Sequence, residues 1–123
     1  MITLDTGALI AIERRKDRMM RALRAAEQTS TPIFVPAVVL AEWWRGRAPA
    51  RMKAFLEIVT VEAVTDELAR AAGEAIAATP GATTIDALVM ASASLRGGVV
   101  YTSDVGDLDR LAAHFPAVRI LGA

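Results

Sequence analysis

Residues 2–6 read Ile-Thr-Leu-Asp-Thr, an apolar and partly β-branched run that ends abruptly in a carboxylate. A strand covered on both faces is mostly apolar, and such strands belong at the centre of a parallel sheet. In open α/β sheets chemistry gathers just outside the carboxyl ends of the strands, which is where Asp5 falls. The same residues also have a plainer use, because Asp and Thr are favoured caps for a helix beginning near Gly7. What separates the two readings is whether later segments bring partners to Asp5.

Downstream, helical and extended patterns alternate. Ala8–Glu13 reads as a short helix, and Asp17 as the N-cap of a second one reaching about Glu27. Met20, Leu23 and Ala26 give that helix an apolar stripe, with Arg18, Arg21 and Arg24 clear of it. Pro32–Val35 is a strand, and Pro36 suits the first turn of a helix from Ala37 to about Arg45 that is apolar nearly all round except for Glu42. After Gly46 and Pro49, a helix over Ala50–Leu56 leads into a short strand at Ile58–Val61. Thr65 caps a helix over Asp66–Ala78, and Thr79-Pro80-Gly81 makes a turn. Thr83 or Thr84 caps a helix ending at Gly97-Gly98, before an apolar strand, Val99–Thr102, that stops at Ser103-Asp104. Asp107–His114 is predicted as a final helix and Val118–Leu121 as a last strand. Five short strands alternating with helices predict one domain over residues 1–123, a three-layer α/β/α fold with a central, mostly parallel five-stranded sheet. The pattern leaves the strand order open.

Composition narrows what such a domain can do. With no cysteine there is neither a disulfide framework nor a thiolate metal site. The longest stretch without a charge, Gln28–Ala41, has 14 residues and two prolines, too short and too broken to span a bilayer. The N-terminus lacks a signal-peptide pattern, so the expectation is a cytoplasmic protein with no membrane association. Net charge is zero, yet residues 1–60 carry ten Lys/Arg against six Asp/Glu, and residues 61–123 four against eight. Arg14, Arg15, Lys16, Arg18, Arg21 and Arg24 form a local basic run opposed only by Asp17, either a solvated helix face or a nucleic-acid contact surface. Trp43 and Trp44 are adjacent on a helix, about 100° apart, so one is predicted in the core and the other at a partner interface.

Acids recur at the points where strands end and helices begin. Asp5 and Asp104 each follow a strand, Asp86 lies in the first turn of a helix, and Glu42 interrupts an otherwise apolar one. An unpaired carboxylate on such a helix is expensive to bury. Two carboxylates about 5 Å apart repel by roughly 3 kcal/mol at an effective dielectric near 20. No lysine or arginine sits near these motifs in sequence, although Arg45 or another distant base could fold back onto them; a divalent cation with oxygen ligands is the economical counter-charge, and Mg²⁺ or Mn²⁺ suits an all-carboxylate site. Asp107, three residues after Asp104, is a secondary ligand candidate, and the pair also reads as a helix cap.

In order and spacing, Asp5-Thr6, Pro36-Ala37-Val38-Val39-Leu40-Ala41-Glu42, Thr84-Ile85-Asp86-Ala87 and Thr102-Ser103-Asp104 with Asp107-Leu108 resemble the PIN-domain ribonucleases, especially VapC-type toxins. The resemblance covers essentially the whole chain. It implies a Mg²⁺- or Mn²⁺-dependent endoribonuclease acting on structured RNA, a cognate antitoxin protein that inhibits it, and a homodimer. Asp5, Asp86 and Asp104 are the expected ligands, with Glu42 ligating through water or orienting the nucleophile. Thr6 and Ser103 stand behind them. At Gly7 the family often has a small polar residue, which leaves hydroxyl support to Thr6. Ser103 stands where an arginine is often found. The reaction these residues permit is attack of a metal-activated water on a phosphodiester. A metal-free mechanism with paired histidines is excluded, since His114 is the only one. No Gly-rich phosphate loop is present, and the only lysines, Lys16 and Lys53, are misplaced for a phospho-receiver domain. The rival reading is an RNA-binding or regulatory module that keeps the fold with weak catalysis, against which stands the presence of all four acids.

Overall fold

The structure is a computed structural model that describes residues 1–123 throughout. Its elements run β1 (Ile2–Leu4), α1 (Thr6–Glu13), α2 (Asp17–Gln28), β2 (Ile33–Pro36), α3 (Ala37–Trp44) and α4 (Ala50–Ile58). They continue β3 (Thr60–Glu62), α5 (Asp66–Ala78), α6 (Thr84–Arg96), β4 (Gly98–Thr102), α7 (Val105–Asp109) and β5 (Val118–Gly122). All five strands pair in parallel, in the order β3-β2-β1-β4-β5, so the sheet is wholly rather than mostly parallel. β1 is central as expected, with Thr3 level with Phe34 on one side and Val100 on the other. Both of its faces are covered, since Thr3 and Leu4, which point opposite ways, are each almost fully buried.

This strand order puts the reversal of winding between β1 and β4. The crevice at such a reversal opens at the carboxyl ends of the two strands, where Asp5 and Asp104 follow them. α6, which carries Asp86, is fixed at its far end by a buried polar cluster that sequence patterning did not reveal. Arg96 donates to Glu62 and to Thr3 Oγ1, and its guanidinium lies 3.7 Å from the Phe34 ring centroid. The Ser92 hydroxyl donates to Glu62 at 2.5 Å, so α6 is tied to three strands through one ion pair and its neighbours.

Several boundaries differ from the sequence reading, for local reasons. Asp17 is the first residue of α2 rather than its cap, and Lys16 precedes it without a side-chain cap. Met19 rather than Met20 is the fully buried methionine of that helix, with Met20 and Leu23 at the rim. α4 extends two residues past Leu56, which displaces β3 to Thr60–Glu62. The last helix begins at Val105 and stops at Asp109, not at His114. Asp104 takes the cap position, and Leu111 and Phe115 are buried from a series of turns that follows the helix. No helix is long and apolar enough to cross a membrane.

Candidate active site

Four carboxylates reach the crevice from four separate places in the chain. Asp5 caps α1, accepting from the Ala8 N–H at 2.9 Å, and its capping does not take it out of the crevice. Burial pushes its carboxyl above the ordinary range, against hydrogen bonds from Thr102 and from the Ala8 and Gly7 amides, with the charge of Asp86 adding to the rise. Asp86 stands in the first turn of α6, behind the cap made by Thr83 Oγ1 to its own N–H at 3.1 Å. Burial raises its carboxyl too, and the charges of Asp104 and Glu42 push the same way. Asp104 caps α7 by accepting from the Asp107 N–H at 3.4 Å, and contact with Asp104 lifts the exposed Asp107 carboxyl. The electrostatic cross-talk places these acids in one cluster centred on Asp86.

Glu42 belongs to this cluster for a reason other than the one its sequence context suggested. Its residue is exposed, not buried, so no desolvation cost calls for a cation there. What holds it is Thr6, whose hydroxyl donates to Glu42 Oε1. Ser103 supports the site by shape: a Cβ at Gly7 would overlap its side chain and come within 2.9 Å of its backbone nitrogen. The glycine after Asp5-Thr6 is therefore what lets the β4–α7 turn close onto the start of α1.

The sequence reading missed two residues. Thr102, fully buried at the end of β4, accepts from the Asp104 N–H at 2.9 Å and turns its hydroxyl toward Asp5, joining the two strand-end acids. Arg110 corrects the expectation that no base lies beside the motifs. It follows Asp107 by three residues, one helical turn, and its charge lowers the proton affinity of both Asp86 and Asp107. The spacing was visible in the sequence; that the chain would bend there and keep Arg110 beside the cluster was not. In this conformation no three of the acids close into a ready ligand cage.

The basic run does not converge as the acids do. Arg14 lines a groove of about 380 Å³ with Thr6, Glu42, Trp44, Arg45 and Arg47. Arg15 and Lys16 occupy the turn into α2, and Arg18 donates to the Gly122 carbonyl at 3.4 Å, at the carboxyl edge of the sheet. Arg21 is exposed mid-helix, while Arg24 lies beside Pro32 and Ile33, at the opposite edge. The two tryptophans part as helical geometry requires. Trp43 is buried and donates to Glu13 at 3.2 Å, whereas Trp44 is half-buried, edge-on to it at 6.3 Å, and forms a wall of the groove beside Glu42.

Comparison with known proteins bears on the family and the fold. A family model described as PIN domain matches residues 2–113. Among solved structures, one from VapBC2 of Rickettsia felis bound to a DNA fragment from its promoter matches with a TM-score of 0.79 and 18% identity, covering 100% of this chain and 99% of that one. A DNA-bound VapBC from Salmonella typhimurium matches with a TM-score of 0.74 and 20% identity, over 98% and 96% of the two chains. FitAB bound to the IR36 DNA fragment matches at 0.68 and 17%, over 99% and 94%. Among curated proteins, none matches the sequence.

Proposed function

The chain belongs to the PIN-domain family, and from that premise we propose that it is a Mg²⁺- or Mn²⁺-dependent endoribonuclease, the toxin of a toxin–antitoxin pair. The observation that carries this reading is the cluster itself: Asp5, Glu42, Asp86 and Asp104 come from four elements to one crevice at the reversal of the sheet. Burial and mutual repulsion leave Asp5 and Asp86 short of positive charge, which Arg110 supplies in part to Asp86 alone. That donor set fits Mg²⁺ or Mn²⁺, which take oxygen ligands, keep several waters and need only one or two carboxylates.

Asp5, Asp86 and Asp104 would hold the ion, with Asp107 a secondary donor. The ion supplies Lewis acidity, acidifying the attacking water and offsetting charge that develops on the phosphodiester. Thr6 holds the Glu42 carboxylate, which would ligate through water or orient the attacking water. Thr102 and the α1 and α7 caps hold Asp5 and Asp104 so that neither swings away. Exposed arginines at the carboxyl edge, Arg14 and Arg18 among them, would bind the RNA backbone irrespective of sequence.

The solved relatives are VapBC and FitAB assemblies, and by analogy the partner of this chain is an antitoxin. The groove walled by Trp44 suits it: an aromatic anchor beside Glu42 would let a basic side chain of the partner reach the acids. The toxin is read as a cytoplasmic homodimer. The test is incubation of the pure protein with a structured RNA. Internal cleavage that needs Mg²⁺ or Mn²⁺ and stops with chelator supports the reading. Tight RNA binding without cleavage under any divalent ion would leave only a binding module.

A further inference from the structure

A second cleft, of about 440 Å³, is lined by Ala78, Thr79, Pro80, Arg110, Ala113 and His114 and shares no residue with the Trp44 groove. Arg110 bridges it. Its guanidinium donates to the Pro80 carbonyl, 30 residues away in sequence, and so clamps the segment after α7 onto the α5–α6 turn. The turn is shaped to receive it. Gly81 has φ +82°, which favours glycine, and with no side chain there the guanidinium lies close against it. An arginine has five N–H donors, and the Pro80 carbonyl takes only one side of the fork. No carboxylate pairs with Arg110, although it lies close enough to the acid cluster to bias Asp86 and Asp107. The result is a guanidinium with fixed position and open donors at the margin of an acidic site. His114 faces the same cleft, exposed, its ring set edge-on at 5.1 Å to the buried Phe115.

We propose that this cleft is a phosphate-binding subsite for the RNA strand, in which Arg110 and His114 hold a backbone phosphate beyond the one that is cleaved. The inference rests on the ribonuclease reading and deepens it. A polyanion led into four carboxylates meets repulsion, and a fixed cation beside them gives the strand an anchor that spares the metal ligands. A guanidinium fork matches two phosphate oxygens, which an ammonium does not do. A phosphodiester also carries no sequence information, so the subsite strengthens binding without narrowing the choice of RNA.

The test is fluorescence anisotropy of a fluorescein-labelled RNA hairpin, in an Asp104→Asn background so that the strand stays intact. Arg110→Gln is expected to weaken binding about tenfold and to reduce the slope of log K against log salt by about 1. Arg110→Lys, which keeps the charge, should retain the slope and much of the affinity. His114→Ala removes a cleft residue without touching the Pro80 clamp, and should weaken binding about twofold or more. A merely structural Arg110 would lower the melting temperature of both Arg110 variants and leave RNA affinity and salt slope unchanged. That result, or undiminished binding by the folded His114→Ala protein, overturns the subsite. Wild-type cleavage of the same hairpin in Mg²⁺ or Mn²⁺ is followed in parallel. Binding that depends on Arg110 without cleavage removes the nuclease reading and keeps the subsite, and cleavage with binding indifferent to Arg110 does the reverse.

Discussion

Asp86 carries the electrostatic cost of the site. Burial and the neighbouring Asp104 and Glu42 charges raise its folded pKa above the ordinary 3.8, so the native state binds its proton more tightly than the unfolded chain does. A group raised in this way contributes stability that is complete below the unfolded value and is lost as pH climbs through the folded value. In metal-free protein near neutral pH the ionised carboxylate is therefore a burden on the fold. Asp86→Asn should melt higher than wild type at about pH 7 with chelator present, and the gain should fade as the pH approaches the ordinary carboxylate value. Thermal melts that superimpose at every pH would contradict the assignment. At this scale the acids were legible, because residues that end strands or open helices are marked by their neighbours. Glu42 was found for the wrong reason: an apolar sequence context does not make a residue buried, and the side chain faces out to Thr6. Thr102 was missed because Asp5 lies far away in sequence, and Arg110 because its spacing from Asp107 does not reveal the bend that keeps it beside the acids.

Among elements, the meeting of α1 with the β4–α7 turn is the tightest contact in the site. Gly7→Ala would drive a methyl into Ser103, and overpacking of this kind costs about 1–3 kcal/mol. Chemical denaturation should show that loss, with Ser103→Gly recovering part of it but not all, because the Ser103 backbone nitrogen is also close. Additive effects of the two changes would mean the contact is not made. α2 poses a different question. Its 12 residues span about 18 Å, enough to carry Arg18 to the carboxyl edge of the sheet and Arg24 to the amino edge. Arg18→Glu should therefore weaken RNA binding more than Arg24→Glu, by roughly tenfold against a marginal change, and should flatten the salt dependence. Equal losses would spread the RNA over the whole helix. The helices and strands themselves were readable from periodicity, caps and glycine breaks, as α5 shows with its expected bounds and its Thr65 cap. Where the reading ran long, at α7, Leu108 and Leu111 satisfy a helical spacing, while the chain leaves the helix at Asp109 and buries Leu111 from a turn.

For the whole molecule, the arrangement depends on what local patterning cannot contain. Which strands are neighbours is a matter of pairing across tens of residues, and the order β3-β2-β1-β4-β5 emerges only in the folded chain. That order makes a site out of acids that are otherwise scattered. It would also link the proposed metal binding to folding, since the crevice exists only in the native state. A divalent ion that binds only the native state adds about 2.7 kcal/mol at a hundredfold excess over its Kd. Melting temperature should accordingly rise with Mg²⁺ or Mn²⁺, and the rise should shrink when Asp5, Asp86 or Asp104 is changed to Asn. A flat titration, with no bound metal by any probe, would count against the site.

The most direct measurement is the chemistry of the cut ends when purified protein cleaves a structured RNA in Mn²⁺, compared between wild type, Asp104→Asn and Asp107→Asn. Both acids are exposed, but Asp104 lies two residues beyond β4 with its N–H held by Thr102, whereas Asp107 stands in the first turn of α7. The account predicts linear phosphate ends from attack by water. It further predicts that Asp104→Asn lowers the rate at least about a hundredfold with the fold retained, and that Asp107→Asn lowers it about tenfold or less. Ends bearing a 2′,3′-cyclic phosphate, or cleavage that survives in chelator and in Asp104→Asn, would contradict it.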